Sequence, residues 1–141
     1  MTLPLVAHVG IAVADLEAAI EKYSALLGRR PDRVEDVPEM SVRVAVFAGE
    51  NTHGGYVELL APTNHDNSIA RFLERRGEGL HHVCVHVTDI EKKLAELKAL
   101  GYRLIDETPR IGALGHKIAF VHPSVSHGVL IELEESPTGA E

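Results

Sequence analysis

Cysteine occurs once in the 141-residue chain, as Cys84, so no internal disulfide framework can hold the fold together. Basic residues are scarce relative to acidic ones, 14 against 21, and the resulting formal charge of -7 repels a phosphate backbone and gives no reason to expect a nucleic-acid partner. No run approaches the roughly 18 uninterrupted apolar residues of a membrane helix. The opening MTLPLVAHVGIAV lacks the basic stretch and small-residue cleavage site of a secretory signal, which places the chain by expectation in the cytoplasm. Walker spacing, a dinucleotide fingerprint and a G-x-S-x-G elbow are also missing, so phosphate-cradling loops and a serine nucleophile are not indicated.

What is present is enough for one ordinary domain. Apolar residues make up 45% and charged residues 25%, a balance that can bury a core. The chain is also written twice. HVGIAVADLEAAIEKYSALLG from His8 aligns with HVCVHVTDIEKKLAELKALGY from His82, and the same offset carries YVELL at Tyr56 onto LIELE at Leu130. The spacing from His8 to Glu58 is therefore also the spacing from His82 to Glu132. Modules of this size are too small to be stable alone with confidence and are expected to share one core. This gives a single domain over 1–141, with module one at about 5–62, a connecting helix at about 67–77 and module two at about 79–135.

Local patterns agree in the two copies. Val9, Ile11 and Val13, like Val83, Val85 and Val87, alternate with the period of a half-buried strand. Asp15 and Asp89 sit where helix N-caps belong. Leu16, Ile20, Tyr23 and Leu27, and then Ile90, Leu94 and Leu97, follow helical spacing, with Gly28 and Gly101 as stops. SVRVAVFA and GYVELLA, with a short strand near Arg29 to Val34, complete module one; YRLIDE, HKIAFVH and GVLIELE complete module two. The class is α+β, two tandem βαβββ modules. NSIARFLERRGEG reads as the connecting helix, capped by Asn67 or Ser68 and stopped by Gly77.

Alternation turns His8 and His82 away from the helix-facing valines, and Glu58 and Glu132 away from Val57, Leu59, Ile131 and Leu133. If the half-sheets curve toward each other, two imidazoles and two carboxylates meet in one cleft. That donor set suits Co, Mn, Fe, Ni or Zn and suits Ca poorly. Packing does not ask for His and Glu at one register in both copies, whereas a cation offsets the cost of desolvating four ionisable groups. Cys84 reads as a small buried residue. His53, His65, His81, His116 and His127 have no repeat partner and default to the surface, Arg71, Arg75 and Arg76 read as a solvated helix face, and TPRIGALGHK reads as a flexible loop over the cleft.

Through HVGIAVADLE, VELLAP, NSIARFLERRGEGLHHV, GYRLIDETPRIGALGHKIAFVHP and GVLIELEE, nearly the whole chain resembles the vicinal oxygen chelate, or glyoxalase/bleomycin resistance/dioxygenase, superfamily. Within it, the last three segments resemble most closely the methylmalonyl-CoA epimerase family. The resemblance implies a curved mixed sheet around a cleft metal held by His8, Glu58, His82 and Glu132, most often Co2+, with Mn2+, Ni2+ or Zn2+ as alternatives. It also implies Glu132 as one acid/base, an acyl-CoA substrate, a place in propionate metabolism and a homodimer. The activity implied is epimerisation of (2R)- and (2S)-methylmalonyl-CoA through an enolate. A glyoxalase-type lyase or isomerase, and a metal-free binding or resistance protein of the same fold, are the alternatives. An oxygen-activating dioxygenase fits less well, because such iron sites keep open positions for O2. Some members carry a second glutamate where this chain has Val44, and no carboxylate lies between Ser41 and Ala48, so the second acid/base is unassigned.

Overall fold

The computed structural model describes residues 3–50, 54–112 and 115–135. The chain divides into two compact units, His8–His81 and Met1–Ala7 with His82–Glu141.

In the His8–His81 unit, strand β1 (Val6–Ala12) leads through Asp15 into helix α1 (Leu16–Leu27). The Asp15 carboxylate accepts the Ala18 N–H at 3.1 Å, satisfying a donor that the first helical turn leaves open. Gly28 ends the helix in the left-handed region (φ 71), a conformation that a β-carbon disfavours. Strands β2 (Arg33–Val37), β3 (Val42–Phe47) and β4 (Tyr56–Pro62) follow, and then helix α2 (Ser68–Arg76), capped by Asn67, whose side-chain oxygen accepts the Ala70 N–H at 2.9 Å. The strand order is β2-β3-β4-β1, antiparallel except for the β1/β4 pair.

Alternation sorts this sheet into two apolar faces. Val13, Ala45, Phe47, Leu59 and Ala61 pack with Leu16 and Ile20 of α1. Ala12, Val42, Val44, Val46 and Leu60 pack with Ile69 of α2 on the other side, and Phe72 and Leu73 add to that cluster. Each fully buried Val or Leu contributes roughly 1.5–3 kcal/mol. Helices therefore pack on both faces of this sheet. Part of the face that carries His8 is core beneath α2.

The second unit repeats the plan, strand then capped helix then three strands. Strand β5 (Gly79–Val87) crosses the boundary at His82 and leads through Asp89, which caps at Lys92 N with 3.1 Å, into helix α3 (Ile90–Ala99). Gly101, just past its end, has φ 82. Strands β6 (Arg110–Ile111), β7 (Lys117–Val121) and β8 (Leu130–Glu135) complete a sheet of order β5-β8-β7-β6, again with one parallel pair, β5/β8. Ile90, Leu94, Ala119, Val121 and Leu133 form its core. The N-terminal stretch lies along β5, where Leu5 O accepts the His86 N–H at 3.0 Å.

Two strand expectations need correction. The second strand of module one begins at Arg33, not Arg29, because Asp32 N bonds Val46 O at 2.7 Å and starts the pairing there. YRLIDE is not a strand: Leu104 makes an isolated bridge to Val121, after which Ile105 N and Asp106 N both bond Phe120 O. Two consecutive donors on one carbonyl break the ladder, and only the two-residue β6 is regular beyond it. Connecting β6 to β7, Gly112 N bonds His116 O at 2.9 Å; Ala113 and Leu114 of the expected loop lie outside the described residues.

Candidate metal centre

Each unit builds a His–Glu pair by the same diagonal. In the parallel β1/β4 ladder His8 lies opposite Tyr56 and Gly10 opposite Glu58. In β5/β8 His82 lies opposite Leu130 and Cys84 opposite Glu132. One step along a strand reverses the face, so the histidine and the glutamate two places on share a face in both ladders. His8 Nε2 lies 3.7 Å from Glu58 Oε1, and His82 Nε2 lies 3.2 Å from Glu132 Oε1. His8, His82 and Glu132 are buried, and Glu58 nearly so. Buried imidazole and carboxylate groups presented this way are a donor set of mixed N and O, which fits a first-row divalent ion.

Around His82 and Glu132 the second unit adds more. Phe120 stands opposite Glu132 in β7/β8 and meets the His82 ring edge-on at 6.1 Å between centroids. The Arg110 guanidinium lies over the Phe120 ring, 5.3 Å from its centroid, and is tied at 3.5 Å to Asp106. Cys84 is fully buried, as expected.

Two residues further along the same face, Glu134 is also buried. Its Oε2 lies 2.8 Å from His116 Nδ1 and its Oε1 3.8 Å from His86 Nε2, while His86 Nδ1 lies 2.7 Å from Pro4 O. The expectation that His116 is a plain surface residue is therefore corrected: its ring is half-buried against a buried carboxylate. His65 and His127 are exposed as expected, His81 packs edge-on against Phe72 at 4.9 Å, and His53 lies outside the described residues. Sequence reasoning missed the His86–Glu134–His116 group because a search for repeated residues discards positions without a counterpart. The signal available was alternation, which puts His86 with His82 and Glu134 with Glu132.

Other features stay apart from this chemistry. Arg71 pairs with Asp66 at 3.3 Å and Arg76 lies over Phe72, both on the exposed side of α2. A cavity of about 890 Å³ in the second unit is lined by Val85, Val87, Ile131 and Leu133 of the helix-facing set and also by Leu5 and His86. Among the described residues no helix is long and apolar enough to cross a membrane.

Comparison with known proteins gives a consistent answer. Residues 7–120 match the Glyoxalase/Bleomycin resistance protein/Dioxygenase superfamily. The mitochondrial methylmalonyl-CoA epimerase of Homo sapiens is 38% identical over 130 residues, covering 92% of this chain and 72% of that protein. The ethylmalonyl-CoA/methylmalonyl-CoA epimerase of Cereibacter sphaeroides is 40% identical over 130 residues, covering 91% and 95%. Among solved structures, a variant methylmalonyl-CoA epimerase of Streptomyces coelicolor in complex with 2-nitronate-propionyl-CoA is similar with a TM-score of 0.88 and 34% identity, covering 99% of each chain.

Proposed function

The chain belongs to the glyoxalase/bleomycin resistance/dioxygenase superfamily and to its methylmalonyl-CoA epimerase family, and on that premise we propose that it interconverts (2R)- and (2S)-methylmalonyl-CoA. The observation that carries the proposal is the His–Glu diagonal built at one register in both units. His8, Glu58, His82 and Glu132 are proposed to hold one divalent ion, with the two units working as a single domain over 1–141. When bound, that ion supplies the electrophile for negative charge developing on the thioester oxygen. We further propose cobalt as the resident ion, a homodimeric state, a cytoplasmic location and a role in propionate metabolism, the properties that the family resemblance implies.

The hydrogen to be moved lies between a thioester and a carboxylate, and a side-chain base alone is too weak to remove it without charge stabilisation. Glu132, on β8 beside His82, is the proposed base for one face of the α-carbon. Phe120 and His82 close its surroundings on the second unit's side, which restricts water and strengthens electrostatic interactions there. Inversion requires delivery on the opposite face, and the β3 position at Val44, buried in the core beneath α2, offers no proton.

The deciding measurement is incorporation of deuterium at the α-carbon when the metal-loaded protein is incubated with methylmalonyl-CoA in D2O, read together with enantiomer interconversion and metal content. Exchange with interconversion, in protein carrying about one divalent ion per chain, is the expected result. Protein loaded with cobalt that neither exchanges nor interconverts the substrate would reject the proposal.

A further inference from the structure

We propose that the cavity of the second unit is a binding site for an aliphatic carboxylate, a medium-chain fatty acid by class, with the hydrocarbon tail inside and the carboxylate at Lys92. The site stands apart from the epimerase reading, since none of its lining residues is a proposed metal ligand.

Comparison of the two units shows how the space arises. The offset that takes His8 to His82 also takes Tyr23 to Leu97 and Phe47 to Val121. The strand ladders keep that register, with Phe47 opposite Val57 in one unit and Val121 opposite Ile131 in the other. In the first unit Phe47 is buried and Tyr23 packs against the same cluster as α1. In the second unit both rings are replaced by shorter aliphatic side chains, and Leu97 and Val121 line the cavity of about 890 Å³. Val13 is buried, whereas its counterpart Val87 is half-buried and lines the same space. Interiors are close-packed as a rule, and apolar walls without partner atoms forfeit contacts that an apolar ligand restores.

The walls and the charged groups set the ligand's chemistry. The volume falls within the range of about 300–1,000 Å³ usual for small-molecule sites, and the walls contributed by the strands are aliphatic, which suits a flexible hydrocarbon chain. The charged lining residues, Asp89, Lys92, Lys93 and Glu96, all come from α3 and its cap. Both carboxylates are engaged: Asp89 accepts the Lys92 backbone N–H at 3.1 Å, and Glu96 lies 3.3 Å from Lys93 Nζ. Among the described residues Lys92 makes no ion pair, so its ammonium is the group left to meet an anion. The first unit has Ala18 and Ala19 at the places of Lys92 and Lys93, so room and cations are found together in one copy and missing together in the other. The N-terminal stretch adds a further wall, held where His86 donates its backbone N–H to Leu5 O at 3.0 Å and its ring Nδ1–H to Pro4 O at 2.7 Å. Leu5 is exposed and extends the apolar lining to solvent.

The test transplants the first unit's residues. Octanoate and octan-1-ol are titrated calorimetrically into metal-loaded wild type, Val121→Phe, Leu97→Tyr and Lys92→Ala, with circular dichroism to check the fold and sedimentation velocity to read the oligomeric state. Wild type is expected to take up about one octanoate per chain. Val121→Phe and Leu97→Tyr, which fill the cavity, weaken both ligands by about tenfold or more. Lys92→Ala weakens octanoate by about threefold and leaves octan-1-ol unchanged. Absence of saturable octanoate binding to wild type overturns the proposal, as does affinity within about twofold of wild type in a folded cavity-filling variant. Should neither filling variant fold, the Lys92 contrast decides, and equal effects on acid and alcohol overturn the assignment. A shift in oligomeric state on filling, with no octanoate bound by wild type, gives the cavity to a second copy of the chain instead.

Discussion

Where the first unit carries Ala12, Val42 and Leu60, the second carries His86, His116 and Glu134, each under the same offset that takes His8 to His82 and each on the matching strand or at its edge. The three apolar residues join one buried cluster with Ile69 of α2. The three polar ones form a connected group around a buried carboxylate. One register further back, both units keep the same His–Glu diagonal. The difference teaches that a duplicated backbone separates two demands. One copy spends the outer half of the face on stability, since buried apolar side chains contribute roughly 1.5–3 kcal/mol each. The other carries the polar group of His86, His116 and Glu134 in its place, and a buried ionic network is near neutral in net stability.

The strongest way to break the comparison is to attack the shared diagonal. If the two pairs are equivalent ligands, His8→Ala and His82→Ala each lower turnover on the order of a thousandfold and reduce bound metal together, measured by steady-state kinetics and elemental analysis. A variant that keeps wild-type turnover and metal content would show that its unit contributes no ligand.

Next in size is an exchange of the divergent halves. Giving the second unit the first unit's residues, as His86→Ala with His116→Val and Glu134→Leu, is expected to leave a folded protein whose urea-unfolding free energy is unchanged or higher by about 1–4 kcal/mol, because an apolar cluster replaces an ionic one. The reciprocal Leu60→Glu puts a carboxylate into the core beneath α2 and costs about 3 kcal/mol or more. Equal and mild effects in both directions would mean that the two halves do not differ in the way described.

The parts of this contrast that could be read from sequence are those that repeat or that obey a local period. Asp15, Asp89 and Asn67 announce their helices because a short acceptor side chain must meet an open N–H three residues on, and all three do so at 2.9–3.1 Å. The His8/Glu58 and His82/Glu132 pairs were legible because alternation fixes the face and the repeat fixes the register. Strand β2 was misplaced because RVEDV is polar and largely exposed, with no apolar alternation to mark its start. YRLIDE misled for the opposite reason: it has strand-like residues, but Ile105 and Asp106 converge on one carbonyl. The contact of His116 with Glu134 was out of reach because Glu134 is a distant strand neighbour rather than a sequence neighbour.

The smallest expected effect concerns a feature that both units share, an aspartate that docks the segment before the edge strand. Asp32 N bonds Val46 O at 2.7 Å and, at the equivalent place in the second unit, Asp106 N bonds Phe120 O at 3.2 Å, but the two carboxylates are used differently. Asp106 accepts the Phe120 N–H at 2.8 Å, whereas Asp32 accepts the N–H of Ala48 at 2.7 Å and that of Gly49 at 3.2 Å. The Ala48 hydrogen bond first, then that of Gly49, hold the Asp32 carboxyl below its ordinary value of 3.8. For a lowered carboxyl the sign is fixed: its contribution to stability is complete above the ordinary value and disappears as pH falls through the lower folded-state value. Asp32→Asn keeps an acceptor oxygen but cannot ionise, so the difference in melting temperature between wild type and this variant should be small and equal at pH 7 and pH 5, and shrink as the pH is lowered toward 3. A difference that stays constant over that range would show that the ionised carboxylate contributes nothing specific to the turn, and that the two aspartates serve their units through the backbone bond alone.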